Sequence, residues 1–71
     1  MQEVIMERVI GTIKSYSRTT GEGLIEPDGE REPVMLDLNS SAGLWFRKGQ
    51  RVQFSRIHRP KGIYAYRMKL I

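Results

Sequence analysis

Apolar and polar residues alternate along several short stretches of the chain, and this period of two is the pattern of half-buried β-strands. In residues 51–58 one face carries Val52 and Phe54, extended by Arg56 if the period holds, and the other carries Arg51, Gln53 and Ser55. In residues 7–16 one face carries Val9, Gly11 and Ile13, opposite Arg8, Thr12 and Lys14. A glycine inside a strand favours a bend or bulge, which we expect at Gly11.

Turn residues separate these stretches. They cluster at Thr19-Thr20-Gly21, Pro27-Asp28-Gly29, Ala42-Gly43, Arg47-Lys48-Gly49-Gln50 and Arg59-Pro60-Lys61-Gly62. In the second cluster proline fixes φ, aspartate bonds the neighbouring backbone and glycine accepts a left-handed φ, so a tight turn is predicted there. We place strands at Glu7–Tyr16, Gly23–Pro27, Pro33–Asp37, Arg51–His58 and Tyr64–Leu70.

Five short strands with regular turns favour a closed antiparallel barrel, because closure removes exposed strand edges. No convincing helix remains, and Asn39–Leu44 makes a turn at most. The 71 residues allow one domain, residues 1–71, with a thin core. The chain ends on apolar residues at the close of a predicted strand, so an origin as part of a longer protein stays open.

A more specific pattern lies in the glycine spacing. Residues 11–17, GTIKSYS, and residues 20–25, TGEGLI, match G-x-V-K-W-F-N followed by K-G-F-G-F-I. Residues 33–38, PVMLDL, align with V-F-V-H-F, residues 49–54, GQRVQF, with G-Q-x-V-x-F, and residues 60–65, PKGIYA, with x-x-G-P-x-A. From Arg8 to Met68 the chain thus resembles bacterial cold-shock proteins. The resemblance implies a five-stranded antiparallel Greek-key β-barrel, the OB-fold, and binding of single-stranded DNA or RNA.

The resemblance is weaker at the residues that would bind bases. Cold-shock proteins stack bases on aromatic side chains and one histidine, but Ser15, Glu22, Leu24, Met35 and Asp37 stand at those positions here. Lys14 and an aromatic residue, Tyr16, persist. Because each stacked base is worth roughly 1–3 kcal/mol, nucleic-acid binding is expected to be weak and electrostatically driven.

Charge is divided unevenly along the chain, whose formal net charge is +4. Residues 1–39 carry four basic and eight acidic side chains, whereas residues 40–71 carry eight basic side chains and no acidic one. Two explanations are open: a surface for a polyanion, which we prefer, or ion pairs between the two halves of the chain.

The basic second half mixes cations with aromatic rings, the composition needed for phosphate contacts and stacking. The alternative is a solvated hairpin with ordinary tyrosines. The predicted nucleic-acid site consists of Lys14, Tyr16, Arg18, Trp45, Arg56, His58, Arg59, Lys61, Tyr64 and Tyr66.

Two apolar pairs have alternative interpretations. Phe46 is expected to fill a core position while Trp45 stays partly exposed, near a loop aromatic of the cold-shock family; alternatively, both plug the open end of the barrel. Leu24 and Met35 either form an apolar patch for a protein partner or pack together as an ordinary surface pair. A protein-interaction or regulatory domain is therefore the alternative function.

The remaining function classes lack the residues they need. One histidine and no cysteine leave too few ligands for zinc, and no nucleophile–base pair or phosphate loop is present, so we expect no enzyme, metal or cofactor. No apolar run approaches the roughly 18 residues of a membrane helix, and no membrane contact is expected. The acidic N-terminus is not a secretory signal. Together with the absence of cysteine, this favours a cytoplasmic location.

Overall fold

The computed structural model describes residues 3–40 and 45–71, and for residues 3–7 the backbone alone. Its strands are β1 (Glu3–Tyr16), β2 (Gly23–Pro27), β3 (Val34–Leu36), β4 (Arg51–Arg59) and β5 (Gly62–Leu70). All five strands were predicted, although β1 begins four residues earlier than expected and β3 is shorter. The described ranges contain no helix, and hence none that could cross a membrane. The turn predicted at Ala42-Gly43 lies outside the described residues.

The strands close into a barrel in the order β1-β2-β3-β5-β4. The predicted all-β, five-stranded barrel is therefore confirmed, and it is consistent with an OB-like architecture; the Greek-key order stays a prediction. The pairing is not wholly antiparallel as expected, because β3 and β5 run parallel where Met35 pairs with Tyr64. The reason is topological. β3 has the direction of β1 because both are antiparallel to β2, and β5 has the direction of β1 because both are antiparallel to β4. β3 and β5 therefore run parallel where they meet.

The barrel interior is filled by side chains from every strand. Its core cluster contains Ile13, Ile25, Val34, Leu36, Phe46, Val52, Phe54, Ala65 and Met68. The alternation predicted in β4 holds for Val52 and Phe54, which are buried, but it does not extend to Arg56. The pairing with β5 shifts register between Gln53 and Ser55, and Ile57, not Arg56, is the next buried residue of the strand. Phe46 is also buried, with 1% exposed, whereas Trp45 is 58% exposed. The expected burial of Phe46 and exposure of Trp45 are therefore confirmed.

Gly11 is required for close packing and not for a bulge. It pairs regularly with Pro27 on one side and Val52 on the other, while the register shifts of β1 lie between Ile5 and Val9 and between Ile13 and Ser15. A Cβ at Gly11 would lie 2.7 Å from the carbonyl oxygen of Glu26. The prediction of a bulge at Gly11 was wrong because the sequence pattern does not distinguish a bend from a close approach of two backbones.

Gly29 fulfils its predicted role in the turn after β2. Its φ is 74°, in the left-handed region that glycine adopts without steric cost. The turn brings Asp28 beside β1, since its N–H donates to the carbonyl oxygen of Ile10 at 2.9 Å. Asp28 is thereby placed to face a cation from β4.

Candidate nucleic-acid interface

Two loops meet at one end of the barrel, where β1 leads into β2 and where β3 leads into β4. Arg18, from the first loop, and Trp45, from the second, line a shallow cavity of about 240 Å³. Both side chains are exposed. A cation beside an exposed indole ring offers a phosphate contact and a stacking surface within one nucleotide's reach.

The turn before β4 adds two cations to this end of the barrel. The N–H of Gly49 donates to the carbonyl oxygen of Ile13 at 2.7 Å, and the N–H of Ile13 donates to the carbonyl oxygen of Gln50 at 2.9 Å. The side chain of Gln50 accepts from the N–H of Arg47 at 3.1 Å. These bonds fix the turn against β1 and hold the exposed Arg47 and Lys48 there.

We call Arg18, Trp45, Arg47 and Lys48 the loop-end surface. No carboxylate among the described side chains forms an ion pair with its three cations. Arg47 and Lys48 were missing from the predicted site because they read only as a turn. The signal that could have identified them is their position next to Trp45 in the sequence.

Tyr16 supports this surface from the barrel side. Its ring meets that of Phe46 edge-on at a centroid distance of 5.7 Å, and that of Trp45 at 6.5 Å. Its hydroxyl is buried, with no hydrogen-bond partner in the described structure. Tyr16, predicted as a binding residue, therefore packs between Phe46 of the core and Trp45 and is partly exposed, and its role in binding stays a prediction.

Three arginines of the basic half pair with carboxylates of the acidic half. Arg51 binds Asp28 through two bonds of 2.8 and 2.6 Å, Arg56 lies 2.8 Å from Glu30, and Arg59 lies 2.9 Å from Asp37. Ion pairing between the halves, one of the two explanations for the uneven charge, thus accounts for part of it. Arg56 and Arg59 were predicted to bind nucleic acid; each places one guanidinium nitrogen on a carboxylate, and their role in binding stays a prediction.

The same ion pairs shift the pKa values of the groups involved. The hydrogen bonds from Arg51 lower the pKa of Asp28, and those bonds raise the pKa of Arg51. Partial burial alone would raise the pKa of Asp37, but the Ser40 backbone N–H, which donates at 2.7 Å, and the Arg59 guanidinium outweigh it, so this pKa is lowered. Arg59 also lies 4.8 Å from the centroid of the Tyr64 ring. We call Asp37, Arg59 and Tyr64 the clasp.

Asp37→Asn is expected to reduce stability at neutral pH by about 1 kcal/mol, because it removes the charge-assisted bond to Arg59. The lowered pKa gives the sign of the pH dependence: the contribution is present above the unfolded-state pKa near 3.8 and is lost as pH falls through the lower folded-state value. Urea unfolding between pH 2 and 7 should show a flatter acid limb in the variant. An unchanged acid limb, or no effect of Arg59→Gln at pH 7, would contradict this.

The predicted site residues at the β4–β5 hairpin turn lie far along β4 from the loop-end surface. The turn that carries Lys61 lies at the opposite end of β4 from the turn that carries Arg47 and Lys48. His58 is exposed near this hairpin turn, and Tyr66 lies 5.3 Å from the guanidinium of Arg67. Lys14 is on β1, with its ammonium 3.9 Å from Glu26 and both side chains largely exposed, so the charge remains accessible.

Comparison with known proteins does not assign the chain to a family. The chain matches no protein-family model and no curated protein sequence. Among the residues whose positions are given, no group of three or more histidines or carboxylates could hold a metal ion. The similarity to cold-shock proteins therefore stays a prediction based on the sequence motifs.

Proposed function

We propose that this protein binds single-stranded nucleic acid, DNA or RNA, through its loop-end surface. The observation that carries the proposal is the exposed Trp45 beside Arg18, with Arg47 and Lys48 held on the adjoining turn. An indole ring can stack only on a base whose face is free, which favours single strands over a duplex. Lys14, near the end of β1, is an exposed cation that we include as a fourth phosphate contact.

The expected affinity is low. One exposed stacking ring contributes roughly 1–3 kcal/mol, so phosphate contacts must supply most of the binding free energy. With four cations in contact, the logarithm of the binding constant is expected to fall with the logarithm of salt concentration with a slope of about −2.8. The cytoplasmic location inferred from the sequence is compatible with this function and stays a prediction.

The proposal is tested by titrating the fluorescence of Trp45, the single tryptophan, with oligothymidine and with a matched oligoribonucleotide. We expect quenching at about 50 mM salt that weakens steeply towards 200 mM. Trp45→Ala, measured by the anisotropy of a labelled oligonucleotide, should weaken binding about 5-fold or more. No response to either strand up to millimolar concentration would rule the proposal out.

A further inference from the structure

A row of apolar side chains crosses the outer surface of the barrel. Leu24 on β2 pairs with Met35 on β3, and Met35 pairs with Tyr64 on β5. The next residues along each strand, Ile25, Val34 and Ala65, are buried inside the barrel, so the row faces outward. We call Leu24, Met35 and Tyr64 the outer row; each is partly exposed.

Opposite charges mark the two ends of the outer row. A cavity of about 320 Å³ extends from Glu22 past Leu24 and Met35 to Tyr64. A second cavity of about 320 Å³ continues from Tyr64 to Lys61. Glu22 and Lys61 are both exposed, and neither forms an ion pair in the part of the chain that the structure describes.

A nucleic-acid strand does not suit this surface. A polyanion would meet the unpaired carboxylate of Glu22 at one end and the carboxylate of Asp37 beside the second cavity. The one aromatic ring of the row, Tyr64, already has the Arg59 guanidinium at 4.8 Å. The occupant has to be apolar at its centre and carry both signs of charge.

We propose that the occupant is a second copy of this chain, related by a two-fold axis through the outer row. In such an isologous interface each contact occurs twice, so a surface must complement itself. An apolar centre with an unpaired acid at one end and an unpaired base at the other meets this condition. Glu22 of each copy faces Lys61 of the other, while the two outer rows pack together.

The dimer is a weak one. Three partly exposed side chains and their charged flanks cover less than the roughly 800 Å² per partner that stable dimers bury. A dissociation constant on the order of 100 μM is expected, and the two ion pairs make association weaker at high salt. The interface does not include the loop-end surface, so the inference is independent of nucleic-acid binding.

A charge exchange tests the arrangement by sedimentation velocity at about 50 mM salt. Glu22→Lys alone places two lysines against each other, and Lys61→Glu alone places two glutamates against each other, so each variant should associate about tenfold more weakly. An equimolar mixture restores both attractive contacts in the heterodimer and should associate as the wild type does. Glu32→Lys and Arg31→Glu change net charge equally at exposed loop positions and serve as controls.

Several outcomes would overturn the inference. A wild-type chain that is monomeric at about 1 mM, ten times the expected dissociation constant, excludes the dimer. A mixture that does not recover excludes the two-fold pairing of Glu22 with Lys61. An oligonucleotide that shifts the methyl resonances of Leu24 and Met35, where raising the protein concentration does not, assigns the outer row to nucleic acid. Far-UV circular dichroism checks that each variant is folded. Because sedimentation is measured without oligonucleotide and the Trp45 titration uses the wild type at a concentration far below the expected dissociation constant of the dimer, failure of one test leaves the other unaffected.

Discussion

Phe46→Ala lowers the free energy of unfolding by about 3–5 kcal/mol, whereas Trp45→Ala changes it by less than about 1 kcal/mol. The two aromatic residues are adjacent in the sequence, but one is 1% exposed and the other 58%. Truncating Phe46 leaves a cavity in a core built from few large side chains. Truncating Trp45 removes a ring that solvent already reaches over more than half of its surface.

The free energy lost in Phe46→Ala is large compared with the total free energy of unfolding expected for this chain. A chain of 71 residues is expected to be stable by about 4–11 kcal/mol, so the variant is at or near the limit of folding. Urea unfolding followed by far-UV circular dichroism measures both variants without relying on indole fluorescence. Equal losses for the two substitutions would show that Trp45 also closes the barrel end, contrary to its exposure.

The second large effect is expected on nucleic-acid binding. Replacing Arg18, Arg47 or Lys48 singly by glutamate should weaken binding of oligothymidine about tenfold at about 50 mM salt and make the salt slope shallower by about 0.7 for each phosphate that is no longer neutralised. A cation that neutralises a phosphate is removed in each case, and a repelling charge takes its place.

Arg31→Glu is the matched control for these three variants. Arg31 is exposed in the loop between β2 and β3, and its substitution changes the net charge by the same amount. If binding depended only on the overall charge of the molecule, Arg31→Glu would weaken it as much as the loop-end substitutions do. Anisotropy of a labelled strand across a salt series distinguishes the two cases, and equal losses would contradict a localised site.

The sequence was informative about the strands because burial follows a period of two in β2, in β3 and in the first half of β4. Val52 and Phe54 alternate with polar neighbours, and glycines mark the turns between strands, so these local signals agree with the observed barrel. The parallel contact of Met35 with Tyr64 could not be predicted in the same way, since strand neighbours distant in sequence leave no local signal.

The candidate site was harder to predict because it depends on tertiary proximity. Arg56 and Arg59 belong to the most basic stretch of the chain, but the fold brings Glu30 and Asp37 to them. Arg47 and Lys48 lie in an ordinary turn, and the backbone bonds of Gly49 and Gln50 to Ile13 show that this turn lies against β1. The distribution of charge along a sequence therefore gives the number of cations but does not show which of them are free of ion pairs in the folded protein.

The short β3 strand makes one seam of the barrel weaker than the others. In the described structure β3 meets β5 through the pair Met35–Tyr64, and the clasp spans the same seam by joining Asp37, just after β3, to Arg59 at the end of β4. Transient local opening of the native state should therefore begin here, with amide hydrogens of β3 exchanging before those of the long β1–β4 ladder. Acid protonates Asp37 and so should increase the fraction of molecules in the locally opened state. In that state the edges of β3 and β5 are exposed, and exposed strand edges promote aggregation.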